Sequence, residues 1–589
     1  MKDDRRLFTL LLPSEDLPKE KTMYYRIENG TALHRDGALL FPAASALSFD
    51  CYYNVFDYAV FRDDTTIDRV FYVLSLQGDL TLRLSLLRKG KNEKECETIP
   101  LSETAFRSTE PTQVRIPLSL SALEGNGTIF LAIDAHSDGA FLGGYIEAEN
   151  APRQDVKIGV AITTFRREPF VRANVAKMTR DLPSDVFSVF VTDNGNTLTP
   201  EDVAGANLIP NKNLGGSSGF ARGMMEITAQ GGFTHILLTD DDISFESEVF
   251  LRTAALLRYA KEPDNVIVGA SMLFSDEPNF QNELGAKWTG HRQIPNNFFY
   301  LKDHLSLVKN ANHPHADYSG WWYNCIPASL PERVGLPFPF FIKVDDAEYC
   351  IRSHAKILLL NGIGVLHECF NHKYQASLEY YHTRNGLILN ALHYPRRGAL
   401  YHFGTLLRDV AKEMISQRYR TSELIFRAFD DFLRGADAYA AIDAAALHRE
   451  LASLGERQIS RAELEAQGYA LTAPLSRDKK GVYPLSFKQV VTLNGYLLPA
   501  KKEPYRVVDL TATKADFFYR ARRVVQYNPY TEKGFVTEQK RGVLCRTLFR
   551  LVGYFFKLLF RHRKASRSFR KAFPELVSNA AWKRRLEIE

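Results

Sequence analysis

The 589-residue sequence predicts a multidomain α/β protein. Its parts are a β-sandwich or barrel over residues 1–150, a central region with a mixed, mostly parallel sheet over 151–395, a helical domain over 396–475 and a C-terminal helical region over 476–589. Three observations carry this. The length is about four times a common 150-residue domain. At Val156 short alternating runs give way to apolar strands followed by helical stretches, and after about Asn390 the sequence turns helical. With 45% hydrophobic and 24% charged residues, the composition is that of a globular protein and excludes a largely disordered or collagenous chain.

The N-terminal part carries β-rich runs such as RVFYVLSLQG and LTLRLSLLRKG, alternating in TLRLSL and punctuated by Gly78, Gly90 and Gly125 to Gly127. The central strands are VKIGVAITTF, FSVFVTDNG, THILLTDDD, NVIVGASML and ILLLNGIGVLHE. Their alternation with helices implies a sheet that binds ligands at its carboxyl ends. Helical segments follow in DVAKEMISQRYRTSELIFRAFDDFLRG and AYAAIDAAALHRELASL, and SRDKKGVYP near Ser476 reads as a loop.

Charge is concentrated rather than spread. The chain is +6, yet Arg541 to Lys571 holds ten Lys or Arg and no acid, so the remainder is net negative. On a helical wheel Arg546, Arg550, Lys557, Arg561 and Lys564 form one stripe. Leu544, Leu548, Leu551, Val552, Phe555, Phe556, Leu558 and Leu559 fill the other side. A broad apolar face beside a basic stripe suits an anionic membrane surface rather than a nucleic-acid groove, where that face would stay wet. The alternative is a helix that packs its apolar face on its own domain. Leu548 to Phe560 is too short and too charged to span a bilayer, and the N-terminus is a poor signal peptide. Six cysteines without CxxC spacing point to a reducing cytoplasm.

The chemistry concentrates in the centre. Asp240, Asp241 and Asp242 follow the strand HILLT, and three adjacent acids call for something positive, most simply a hard divalent cation. In extended backbone Asp240 and Asp242 share a face and Asp241 points elsewhere; the plain alternative is helix capping. Thr164 and Arg166 stand at the next strand end, Asp193 ends another, and NKNLGGSSGFARGMME offers a glycine-rich helix start with Asn213 and Arg222. Amides at such a start bind phosphate, while the spacing fits neither GxGxxG nor a P-loop.

Taken in order, NLGGSSGFARGMME, LLTDDDISFE, YSGWWYNCIP, FPFFIKVDDAEYCIR, GVLHE and YYHTRNGLI resemble inverting GT-A glycosyltransferases of family 2, and within them the bacterial polymerising galactofuranosyltransferases, over roughly residues 50–400. The resemblance implies a GT-A domain over 151–395. It implies that Asp240, Asp242 and His367 ligate Mn2+ or Mg2+, and that Thr164, Arg166, Asp193, Asn213 and Asp241 contact the uridine and ribose, with Arg222 near phosphate. Asp345 is then the base that takes the acceptor proton, a role worth about 10²- to 10⁴-fold in rate. Asp346 orients the site or contacts acceptor hydroxyls, the plain alternative being that the acid pair caps a helix; His382 lies near the pyrophosphate or makes a structural hydrogen bond; and Trp321 and Trp322 flank the acceptor, at most one of them stacking on sugar if both lie in a strand, with core packing of both as the alternative.

Two departures stand out: Val344 replaces a bulkier aromatic before Asp345, and QNELGAKWTGH aligns poorly, leaving Glu283 as a guess for the acceptor loop. The expected activity is transfer of galactofuranose from UDP-galactofuranose to a lipid-linked or polysaccharide glycan, on the inner face of the plasma membrane. Rhamnosyl or galactopyranosyl transfer and a silent glycan-binding scaffold are the alternatives. Members of the family can self-associate, so a homo-oligomer is a further expectation.

Overall fold

Leu80, Leu82, Leu84 and Leu86 are buried along the strand Arg69–Lys89 while Arg83 between them turns outward to pair with Asp134, so the alternation read in TLRLSL is the inward and outward alternation of a sheet. The computed structural model describes all residues except 1–4, 15, 16, 18, 19, 93, 314, 370–374, 472–483, 511–513 and 589. They form two compact units, Met1–Pro337 with Asp346–Glu368 and Trp582–Glu589, and Phe338–Asp345 with Cys369–Ala581.

In the first unit, nine antiparallel strands up to Ala148 are hydrogen-bonded into one sheet. Arg69–Lys89 pairs with Cys96–Ser119 on one edge, and on the other with Gly139–Ala148 and then Thr128–Ala135. The expected boundary at residue 150 does not divide the units. Arg252, buried in the helix Glu248–Tyr259, donates to Thr9 O at 2.8 Å and Gly362 O at 3.0 Å, and Glu248 accepts from Thr9 N at 2.6 Å. Buried charges satisfied across the sequence gap lock the β-rich part to the α/β part.

The α/β sheet has seven strands in the order 207–210, 187–193, 158–164, 235–240, 323–327, 266–269, 356–358. Neighbours are parallel except around Tyr323–Pro327, which runs antiparallel to both of its partners. Ile158, Val160 and Ile162 are wholly buried, each contributing about 1.5–3 kcal/mol. The helix Gly216–Gln230 lies close on the strand Ile158–Thr164, because a Cβ at Gly219 would come within 2.2 Å of Thr163. A second sheet of five strands includes Ile243–Phe245, Gly364–His367 and Ser271–Phe274. The run ILLLNGIGVLHE thus supplies one strand to each sheet.

The second unit is built on Ser377–His393, Ala399–Ile415, Tyr419–Arg434 and the 36-residue helix Arg541–Leu576. Phe432 stacks on Phe569 at 5.5 Å. The C-terminal region is not all helical: Arg506–Asp509, Arg523–Asn528 and Lys533–Glu538 join Ile459–Ser460 in a four-stranded sheet. The β-branched residues Val507, Val508, Val524, Val525 and Val536 favour strands there. Of the loop expected at SRDKKGVYP, residues 476–483 lie outside the described residues.

The long basic helix divides its expected apolar face. Leu551, Tyr554 and Leu558 are buried, whereas Phe549 and Phe560 are each 80% exposed beside exposed Leu548, Val552, Phe556 and Leu559. The expected basic stripe is divided too, because Arg550 pairs with Glu423 and Lys557 with Asp430 on the helix Tyr419–Arg434. Arg546, Arg561 and Lys564 stay exposed. No helix among the described residues is long and apolar enough to cross a membrane.

Candidate active site

The strand order reverses between Ile158–Thr164 and His235–Asp240, which is where an open parallel sheet leaves a crevice beyond its carboxyl ends. Register puts Thr164 opposite Asp193 and Thr163 opposite Asp240. In the second sheet, Ile243 pairs with His367. A turn of two residues after Asp240 therefore returns the chain beside His367, and Asp240, Asp242 and His367 converge, each offering a ligand atom within 4.8 Å of the others.

His367 Nε2 lies 3.1 Å from Asp242 Oδ1 and 4.0 Å from Asp240 Oδ2. Its Nδ1 lies 2.6 Å from Glu368 O, so a proton there fixes the tautomer and leaves Nε2 facing the carboxylates. Burial lowers the imidazole's basicity, but the Asp242 and Asp240 carboxylates outweigh it and raise its pKa above the ordinary value. Two carboxylates and one oriented imidazole are a donor set that could hold a metal ion.

Asp241 stands outside that group of three. It accepts from Thr164 Oγ1 at 2.7 Å, and its main-chain oxygen accepts from Asn174 at 2.9 Å. Burial raises its pKa to about 6, against the pull of Arg167 and Thr164. Arg167, unremarked in the sequence, reaches Asp241 Oδ1 at 3.3 Å and also pairs with Asp242. The requirement for positive charge beside three acids was the signal that could have found it; Arg166 next door is exposed, with φ of 57°.

The other expected donor contacts are held in loops. Asp193 accepts from the main-chain nitrogens of Gly195, Thr197 and Leu198 at 2.7–2.9 Å, which secures the loop after its strand. Asn213 accepts from Gly215 N at 3.0 Å, where Gly215 has φ of 89° before the helix start. Arg222 pairs with Glu226 on its own helix at 2.7 Å.

Trp321 and Trp322 precede the strand Tyr323–Pro327 rather than lying in it, and both are buried. Trp322 donates to Ala270 O at 3.1 Å, while Trp321 meets Phe220 and Tyr349 edge-on. The packing of both rings is the core-packing alternative weighed from the sequence. Glu283 is buried and pairs with Arg292.

Asp345 and Asp346 open the helix Asp345–Ser353, both half-buried. Asp346 belongs to the first unit and caps Ala347 N at 2.7 Å; Asp345 closes a segment of the second unit, which also holds His382 on the helix Ser377–His393. Lys343 and Val344, just before Asp345, both have φ of 71°. For non-glycine residues this conformation costs about 1–3 kcal/mol each, and for β-branched Val344 it is exceptional.

No family model matches the chain. It is 28% identical over 485 residues to galactofuranosyltransferase GlfT2 of Mycolicibacterium smegmatis, covering 74% of this chain and 72% of the relative. Identity to galactofuranosyltransferase GlfT2 of Mycobacterium tuberculosis is 29% over 479 residues, covering 73% and 72%. Among solved structures, the mannosyltransferase PcManGT from Pyrobaculum calidifontis in complex with GDP-Man and Mn2+ has a TM-score of 0.28 and 14% identity, covering 52% of this chain and 83% of that one. The resemblance expected from the motifs is borne out: this chain is similar to two galactofuranosyltransferases over about three quarters of its length.

Proposed function

We propose that the protein is a metal-dependent inverting glycosyltransferase that moves galactofuranose from UDP-galactofuranose to a hydroxyl of a lipid-linked or polysaccharide glycan. The observation that carries this reading is the convergence of Asp240, Asp242 and His367 at the point where the strand order of the α/β sheet reverses. In this reading 151–395 is a GT-A domain, and Thr164, Arg166, Asp193, Asn213, Asp241 and, more remotely, Arg222 surround the nucleotide. Asp240, Asp242 and His367 would hold Mn2+ or Mg2+. When bound, the cation neutralises the negative charge gathering on the departing diphosphate.

Asp345 removes the proton from the acceptor hydroxyl as that oxygen forms its bond to the anomeric carbon and the bond to the diphosphate breaks, which inverts the configuration. Asp346 holds the start of the same helix, and Trp321 and Trp322 shape the acceptor side from beneath rather than by open stacking. His382 is assigned to the pyrophosphate end. Incubating enzyme and Mn2+ with a panel of nucleotide sugars and a short galactoside acceptor, followed by mass and linkage analysis, tests the reading. Galactofuranosyl transfer with inverted configuration is expected; transfer from another donor, or none, would overturn it.

The same proposal places the enzyme peripherally on the inner face of the plasma membrane. Support comes from the exposed stripe Phe549, Val552, Phe556 and Phe560, spaced to share one helix face beside Arg546, Arg561 and Lys564. Because Leu551 and Leu558 of the same helix are buried in the second unit, deleting the helix would unfold its surroundings, and point substitutions are the cleaner test.

A further inference from the structure

The residues just before Asp345 are held by the second unit almost one by one. Pro339 O accepts from the Tyr439 hydroxyl at 2.7 Å, and Phe341 stacks on Tyr381 and His448 with ring centroids 5.8 and 4.7 Å apart. Asn385, wholly buried, donates its side-chain nitrogen to Ile342 O at 3.0 Å and to Lys343 O at 2.9 Å. Its oxygen accepts from Arg384 Nε at 3.1 Å, which sets the amide with its donors toward the loop. Arg384 is itself buried, its guanidinium 4.9–5.4 Å from the rings of Tyr380, Tyr381 and Tyr439. The carboxamide has spent both N–H donors and its acceptor on this one arrangement.

These bonds meet the left-handed pair Lys343 and Val344 at the point where the chain would otherwise relax. A β-branched residue enters that region only when its surroundings compel it, and compelled backbone clusters where a side chain must be aimed. We infer that Asn385, oriented by Arg384, is a positioning residue for Asp345: it fixes the two carbonyls that force the bend, and the bend aims the carboxylate. The inference rests on the reading of Asp345 as the base. It also gives the RNG of YYHTRNG a role beyond that expected of His382.

The test uses the full-length enzyme. In Asn385→Ala, kcat is expected to fall about 10- to 100-fold, the scale of a misplaced reacting group, while affinity for UDP with Mn2+ stays within about twofold of the parent. Adding Val344→Gly allows the bend without compulsion and is expected to recover part of the loss. Arg384→Lys, which keeps the charge among the tyrosines but loses the fixed Nε donor, is expected to lower kcat by a smaller factor, and serves if Asn385→Ala is insoluble. An unchanged kcat in either single variant, a loss of nucleotide binding equal to the loss of kcat, or no recovery with Val344→Gly would overturn the inference. Asp345→Asn measured alongside separates the two failures: if it retains transfer, the base assignment falls; if it abolishes transfer while Asn385→Ala retains it, only the positioning role falls.

Discussion

The acids at Asp240–Asp242 and the acid at Asp345 are held by different means. Around the first, three carboxylates are compensated by charge and by hydroxyl: Arg167 bridges Asp241 and Asp242, His367 faces Asp242, and Thr164 donates to Asp241. Before the second, the main chain is bent through two left-handed residues and its carbonyls are tied to Asn385. A group that gathers ligands around a cation tolerates and needs opposite charge nearby. A base must keep its proton affinity, and before Asp345 it is the backbone that does the positioning.

The contrast breaks most sharply at Asp242. Asp242→Asn is expected to weaken Mn2+-dependent UDP binding by more than about 100-fold, beyond the 10- to 100-fold typical of outer partners, as read by calorimetry. A loss no greater than that of an Asn385 variant would erase the difference between the two regions.

Next in size is a pH effect at Asp241. Its folded pKa is raised to about 6 from an ordinary value near 3.8, so the folded state binds the extra proton. The associated stability is present at low pH and lost as pH rises from about 4 to 6, amounting to at most about 3 kcal/mol. Asp241→Asn should therefore gain stability relative to the parent across that window in metal-free denaturant titrations. His367, raised above its ordinary value, adds a component with the same sign that is lost at higher pH, through its own folded pKa. A stability difference that does not change with pH would contradict the charge-held picture.

Arg167→Met sharpens it further. With Arg167 partly exposed, a cost of about 1–2 kcal/mol is expected at pH 7.5 and a smaller one at pH 5, where Asp241 is protonated and has less charge to pair. Chemical denaturation at the two pH values reads this directly. The smallest effect concerns the surface: Phe549→Ser with Phe560→Ser should reduce flotation on anionic liposomes several-fold without changing thermal stability, since both rings are 80% exposed. Equal flotation would remove the membrane proposal.

Much of this was legible in the sequence. Strand ends carrying Thr164, Asp193 and Asp240 announce themselves because apolar runs stop at polar residues, and the order of motifs pointed to His367 from more than a hundred residues away. Arg167 was missed because adjacent arginines at a helix start look alike until the fold chooses which one turns inward. Core packing of Trp321 and Trp322 was one of the readings their sequence allowed, and the strand begins after both of them, at Tyr323. The bend at Lys343 and Val344 was invisible for the opposite reason: neither residue prefers positive φ, so local sequence argues against what Asn385 imposes from forty residues on. The sheet over 506–538 went unread because its strands are short and separated by polar turns.

The division of labour between the two acid groups is tested most directly by assaying Asp345→Asn for sugar transfer and for binding of UDP with Mn2+ in the same preparation. Transfer should fall by about 10²- to 10⁴-fold with binding unchanged. Undiminished transfer, or a loss of binding that matches the loss of transfer, would contradict it.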